Sequence, residues 1–340
     1  METEPRFVAR RPNLPQPPPV EGAPRVRRTR EGNYPTEFGM LADFVADSRV
    51  TDIFVNGSRG VWVDRGAGAE RIAGLAPTEV QLRELAVRLM SLGGRHIDEA
   101  TPCVDARLED GIRVHAVLPP ISPMGTLLSV RLPRLDFPTM SFLTDGGFFD
   151  IVDRRVIDRL VAERVNLLIT GAGGSGKTTF LAALLASAAP DERIIAIEDV
   201  TELRVDHPHF LALEARQPNL EGAGALGLER LVREALRMRP DRLVLGECRG
   251  AELRELLAAL NTGHDGGAGT LHANSLDDVP ARLEALGALA NMTSVAVARQ
   301  TVSAIGTVLH LEHTPEGRRI AQMGSFALDH RDRLTIERAA

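Results

Sequence analysis

The sequence predicts an α/β protein whose C-terminal half is a mainly parallel sheet with helices on both faces, preceded by a smaller α+β domain. Three observations carry this. From Val165 onward, short apolar runs of the buried-strand type alternate with helical patterns, which is the βαβ order of a parallel sheet. Between about 38 and 132 the strand-like runs are short and separated by turn signals. At 171–178 a glycine-rich loop joins an apolar run to a helical pattern. The chain has 340 residues, room for two or three compact domains. Hydrophobic residues make up 44% and charged residues 25%, the composition of a soluble globular protein. Aromatic residues are only 4%, so the cores are built from Leu, Val, Ile and Ala.

In chain order, residues 1–36 differ from the rest. The run Arg10 to Pro19 is proline-rich and Arg25 to Arg30 is basic, with too little apolar surface to fold alone. They read as a disordered tail. Residues 37–132 form the α+β domain. Strand-like Val50 to Val55 and Val61 to Asp64 flank the turn Asn56-Gly57-Ser58-Arg59-Gly60. Thr78-Glu79 opens a helix that aligns Leu82, Leu85, Ala86 and Leu89 on one face. Cys103 to Leu108 and Ile112 to Leu118 bracket Glu109-Asp110-Gly111 as a hairpin, and Thr126 to Leu132 adds a strand. Residues 133–150, with Pro133, Pro138 and Gly146-Gly147, read as a linker. In 151–340 the helix Ile151 to Glu163 leads into strands at Asn166 to Thr170, Arg193 to Glu198, Arg242 to Leu245 and Ala268 to Leu271. Helices are expected at Thr178 to Ala188, Leu228 to Met238, Ala251 to Leu260, Pro280 to Leu289 and Val295 to Ala304.

Cys103 and Cys248 are far apart and form no CxxC, so the expectation is two reduced thiols and no zinc site. Nothing resembles a signal peptide or an apolar run long enough to span a membrane. The expected location is the cytoplasm, with membrane association only through partners. A net charge of −6 argues against nucleic-acid binding over the whole surface.

Four blocks carry chemistry. Gly171-Ala172-Gly173-Gly174-Ser175-Gly176-Lys177-Thr178 satisfies G-x-x-x-x-G-K-T, follows a buried strand and opens a helix. Such a loop wraps phosphates with its N–H groups, and the helix N-terminus adds partial positive charge. Lys177 supplies charge to the β- and γ-phosphates and Thr178 a hydroxyl to magnesium, so ATP with Mg2+ is the expected ligand. Ile194 to Asp199 is a buried strand ending in Glu198 and Asp199. At such a strand end a carboxylate faces the ligand crevice and orients water or holds magnesium. Arg242 to Glu247 is a second strand ending in an acid and resembles a Walker B strand. Glu247 there binds magnesium through water or serves as general base. Thr262 to Asn274 places His264 and His272 around a glycine-rich turn, where an imidazole can hydrogen-bond a γ-phosphate.

Together these blocks resemble the secretion ATPase superfamily of type II secretion, type IV pili and type IV conjugation. Within it they look like the TadA/CpaF family, which drives assembly of tight-adherence (Flp) pili. The stretches are GAGGSGKTT at 171–179, IEDVTEL at 197–203, LVREALRMRPDRLVLGECRGAEL at 231–253, TGHDGGAGTLHANS at 262–275 and TPCVDARLEDGIRVHAVLPP at 101–120. The resemblance implies a RecA-like P-loop ATPase domain, a hexameric ring, and nucleotide held between the two domains. It adds Thr179 to the nucleotide loop. It makes Glu198 and Asp199 an Asp box, Glu247 the Walker B acid, and His264 and His272 a His box. Glu198 and Glu247 share water activation and magnesium coordination, in an order the resemblance leaves open. It implies that N-terminal arginines reach the γ-phosphate, with Arg107, Arg113 and Arg131 at the matching positions. Arg237 and Arg239 fall where a subunit interface is expected. Cys248 stands where an aliphatic residue is expected, a packing change.

The expected protein is an ATP-hydrolysing motor that works with inner-membrane platform proteins at the cytoplasmic face and does not contact nucleic acid directly. Two alternatives stay open: a conjugation-type ATPase that moves DNA or effectors, and a nucleotide-dependent switch with negligible turnover.

Overall fold

A computed structural model describes residues 34–66, 68–108, 111–133, 138–216 and 224–339. The expected tail lies almost entirely outside these residues, as do Glu109 and Asp110 of the expected hairpin turn.

Two sheets organise the chain. The first holds six antiparallel strands: β1 (Asp52–Asn56), β2 (Val61–Asp64), β3 (Ala69–Arg71), β4 (Cys103–Arg107), β5 (Arg113–Val117) and β6 (Leu127–Arg131), in the order β3-β2-β1-β6-β5-β4. Short helices α1 (Tyr34–Glu37) and α2 (Ala42–Ala46) precede it. Helix α3 (Glu79–Leu92) starts at a capping box, in which the Thr78 side chain accepts from the Gln81 N–H and the Gln81 side chain accepts from the Thr78 N–H. Its buried residues Leu82, Leu85, Ala86 and Leu89, spaced for one helical face, pack on β4 and β5. They close one core with Ile53, Val55, Val114 and Leu128.

The second sheet has the order β14-β13-β12-β7-β11-β10-β8-β9. Helices α4 (Met140–Asp145) and α5 (Arg154–Ala162) lead to β7 (Leu167–Gly171), α6 (Lys177–Ala186), β8 (Ile194–Glu198) and β9 (Phe210–Glu214). Then follow α7 (Leu228–Leu236), β10 (Arg242–Cys248), α8 (Glu252–Leu260), β11 (Ala268–His272), α9 (Val279–Leu289) and α10 (Ser294–Ala304). Strands β12 (Thr307–Thr314), β13 (Gly317–Leu328) and β14 (Leu334–Arg338) complete it. Six strands, β9 to β12 in spatial order, run parallel, whereas β13 and β14 extend the sheet by antiparallel pairing, β13 against β12 and β14 against β13.

The strand period of two divides each central strand between two cores. Leu168, Ile195, Ile197, Leu243 and Leu245 face α7–α10, while Ile169, Ile194, Ala196 and Val244 face α4–α6. That is why β7 and β8 are buried at every position.

The fold departs from the sequence reading in its peripheral elements and in the span expected as a linker. β3, β9 and β12–β14 were not anticipated: β3, β9 and β14 are sheet edges, and β12 and β13 interleave polar residues such as His310, Glu312, Arg318 and Gln322 with apolar ones. The span 133–150, expected as a linker, contains α4, and its Met140, Leu143 and Phe148 are buried in the second sheet's core. Its apolar residues are anchors rather than spacers. Within the mainly parallel sheet, β13 alone among the described strands runs against its neighbours.

Candidate functional site

Parallel strands place all their C-terminal ends on one edge, where Gly171, Glu198, Glu247 and His272 collect. The loop after β7 is shaped by glycines. Gly174 and Gly176 have φ of 74° and 96°, the left-handed region, and Gly176 is the N-cap of α6. At Gly171 a Cβ would lie 2.5 Å from the Leu311 carbonyl oxygen, so β12 closes on the loop backbone. No side chain caps α6, so its first N–H groups face the loop's concavity. The buried Lys177 ammonium donates to Gly171 O at 2.8 Å and Ala172 O at 2.9 Å. Desolvation lowers its pKa, and the charge of Glu247 opposes that shift. Ser175 Oγ is buried without a hydrogen-bond partner among the described residues. Uncapped helix N–H groups, an ammonium and a loop whose glycines take left-handed φ fit a polyphosphate. Gly173 lies in the exposed tip of the loop, and Thr178 and Thr179 stand half-buried in the first turn of α6.

The acids sit at graded distances. With strands about 4.8 Å apart, β10 lies roughly 10 Å and β8 roughly 14 Å from β7. His272 on β11 is between them, aligned with Gly171. Its Cε1 is 3.6 Å from where a Gly173 Cβ would be, and its Nε2 is 3.4 Å from Glu247 Oε1. Burial, with Lys177 nearby, lowers the His272 pKa and keeps the ring neutral at neutral pH. The other Glu247 oxygen accepts from Arg249 Nη2 at 2.6 Å. Glu198 is 4% exposed and accepts from the N–H groups of Glu202 at 3.0 Å and Leu203 at 3.1 Å. Burial outweighs those bonds and pushes its pKa up to about 7. Gly246 permits this arrangement, since a Cβ there would stand 2.5 Å from Glu198 Cγ.

The antiparallel sheet reaches this edge through arginines. Arg107 Nη2 donates to the Asp199 main-chain oxygen at 3.1 Å, and Arg107 also pairs with Glu214 on β9. Arg113 pairs with Glu202 at 2.6 Å. Arg131, exposed on β6, lies beside Arg113 in the strand register. Burial, together with the positive charges of Arg107, Arg131 and Arg249, lowers the Arg113 pKa. Arg107 and Arg113 thus reach the acid-bearing edge, where carboxylates engage them, and Arg131 stands beside Arg113.

One expected residue is elsewhere. His264 precedes β11 and hydrogen-bonds Ala259 O near the end of α8, 3.2 Å away. It lies at the edge where the strands begin, about 13 Å of strand from His272. The eight-residue separation contains a whole buried strand, and that strand sends the two histidines to opposite edges. Arg237, at the end of α7, pairs with Glu234 at 3.2 Å on the same helix, and Arg239 takes a left-handed φ of 56°. The sequence reading missed Arg249, although it lies inside a quoted block. It also missed Arg318 on β13, whose Nε donates to Gly174 O at 2.8 Å. No local pattern marks Arg318, because the contact spans 144 residues.

A model of the family described as "type II/IV secretion system protein" matches residues 35–311, and the chain belongs to that family of ATPases. A Mycobacterium tuberculosis (strain H37Rv) protein provisionally described as a conjugal transfer protein, Rv3659c, is 44% identical over 290 residues, covering 84% of this chain and 82% of that one. The conjugal transfer protein TrbB of Rhizobium radiobacter is 30% identical over 314 residues, covering 88% and 90%. Among solved structures, the pilus retraction motor PilT bound to ADP has a TM-score of 0.58 at 20% identity, covering 82% of this chain and 79% of that one. The Legionella pneumophila ATPase DotB has a TM-score of 0.55 at 18% identity, covering 89% and 80%. At these identities the likeness is one of fold. Among the described residues no helix is long and apolar enough to cross a membrane.

Proposed function

We propose that the protein is a motor ATPase that powers assembly of a tight-adherence type pilus from the cytoplasmic face of the inner membrane. In this reading residues 151–340 are a RecA-like domain and residues 37–132 a second domain that closes on it. Six copies form a ring against membrane platform proteins. The observation that carries the reading is the convergence of Lys177, Glu247 and Glu198 on one sheet edge, opposite arginines of the other sheet.

The site residues take the following roles. The loop from Gly171 to Thr179 cradles the phosphates of ATP, with Lys177 on the outer two. Magnesium would be held by Thr178 and, through water, by Glu247, and would offset charge on the phosphates. Glu247 is the better placed acid for this, one strand nearer to β7 than Glu198 and close enough to act on Lys177. Glu198, half deprotonated near neutral pH, takes the proton of the attacking water. His272, neutral and against Gly173, is placed to sense the γ-phosphate. Arg107, Arg113 and Arg131 stabilise developing charge when the two halves close.

A phosphate-release assay on the purified protein tests this. Lys177→Ala and Glu247→Ala are each expected to abolish turnover, and undiminished activity in Lys177→Ala would overturn the assignment. A second reading, a motor for conjugal DNA or effector transfer, is favoured by what the relatives' names say of those proteins. Deleting the gene separates the two: loss of surface pili supports the first, and loss of transfer with pili intact supports the second.

A further inference from the structure

Arg249 stands two residues after Glu247, where β10 leaves the sheet. Its position is fixed from below. The N–H groups of Arg249 and Gly250 both donate to Glu252 Oε1, at 2.6 and 2.8 Å, and Glu252 is buried at the start of α8. From that turn the guanidinium reaches two acids. Nη2 donates to Glu247 Oε2 at 2.6 Å, and Nη1 lies 3.9 Å from Asp199 Oδ2. Glu247 continues through His272 to the nucleotide loop, and the Asp199 main-chain oxygen holds Arg107 of the antiparallel sheet. One cation thus bridges the acid nearest the phosphate loop and the residue that binds the other half of the molecule.

We propose that Arg249 is a positioning residue that neutralises Glu247 in the nucleotide-free protein and passes to Asp199 when hydrated magnesium takes the Glu247 carboxylate. The inference rests on the reading of Glu247 as the magnesium-side acid. Its physical basis is competition, since two cations cannot share one carboxylate without repulsion. Asp199 is the nearest alternative anion, already within ion-pair distance. Arg249 therefore raises the magnesium concentration the site requires. The same transfer neutralises Asp199 beside Arg107 and brings a like charge nearer to Arg113, so metal occupancy loosens the contact and is communicated to the antiparallel sheet.

The test is a magnesium titration of the full-length protein with a fluorescent ATP analogue, read as nucleotide binding rather than turnover. Arg249→Gln is expected to lower the half-saturating magnesium concentration about threefold or more, because a competing charge is gone. Its nucleotide affinity in EDTA should stay within about twofold of the parent, since the phosphate loop is untouched. Arg249→Lys keeps the charge and should retain the parent's magnesium requirement. A purely structural role would weaken binding with and without the metal alike. An unchanged magnesium requirement in Arg249→Gln overturns the proposal and leaves the ATPase reading standing. Nucleotide binding by the parent with no magnesium dependence overturns the Glu247 reading and this inference together. If circular dichroism shows that the glutamine variant does not fold, Arg249→Met, uncharged and of similar reach, is measured in the same way.

Discussion

At the scale of single residues, Glu198 separates stability from function. Its carboxyl is held at about 7 by burial, well above the ordinary value of 4.5. The fold therefore favours the protonated form. This contribution to stability is complete below about pH 4.5 and is lost as pH rises through 7. The shift corresponds to about 3 kcal/mol. Glu198→Gln mimics the protonated acid. It is expected to melt several degrees above the parent at pH 8, with the gap closing near pH 4.5. The same substitution should reduce turnover by about a hundredfold or more while leaving nucleotide binding intact. In the parent, kcat should rise with pH and level off above about 7. A flat kcat profile, or equal melting temperatures at pH 8, would remove Glu198 from the role of base. Gly246→Ala offers a steric check, because its Cβ would meet Glu198 Cγ at 2.5 Å and displace the carboxyl without altering its charge.

At the scale of elements, the hairpin of β12 and β13 is the part of the site that no local pattern reveals. Leu311 O of β12 closes on Gly171, and the Arg318 stem of β13 covers Gly176 while its Nε holds Gly174 O. An element remote in sequence therefore preshapes the phosphate loop. Arg318→Ala should weaken nucleotide binding about threefold to tenfold by loosening that loop, with melting little changed. Equilibrium titration with labelled ADP measures it, and unaltered affinity would reduce Arg318 to a surface contact. The contrast with β7, β8, β10 and β11 explains what sequence can show. Those strands lie at the sheet centre, so they are apolar on both faces and read as continuous runs. β9 and β14 lie at the edges and β13 beside one of them, where polar and apolar residues mix. The loop and acids were legible because β7, β8 and β10 deliver them within a few residues of a readable strand. His264 was misplaced because a motif gives spacing along the chain, and direction follows only once the strand between the histidines is recognised. Arg249 was visible as a residue, but its partners come from β8 and α8, which the sequence does not juxtapose.

At the scale of the whole molecule, the two sheets meet through charge. Arg107 and Arg113 are bound to Glu214, Glu202 and the Asp199 main chain, all on or beside the strands that carry Glu198 and Glu247. If these arginines serve the γ-phosphate, they must leave those acids first. The acids then act as a resting place that competes with ATP. Each pair is about a third exposed, so its strength is modest and salt-sensitive. Pairs of this kind contribute roughly 0.2–1 kcal/mol each. The double variant Glu202→Gln/Glu214→Gln removes the competition while keeping side-chain shape. It should bind ATP about two- to tenfold more tightly than the parent at low ionic strength, with the difference shrinking as salt rises past about 0.5 M. Arg107→Ala should lower kcat and also erase much of the double variant's gain in ATP affinity, because that gain runs through the freed arginines. The opposite result, weaker ATP binding in the double glutamine variant, would mean that Glu202 and Glu214 aim the arginines at the phosphates. Closure of the two halves would then be pre-set by the protein, and nucleotide arrival would not have to drive it.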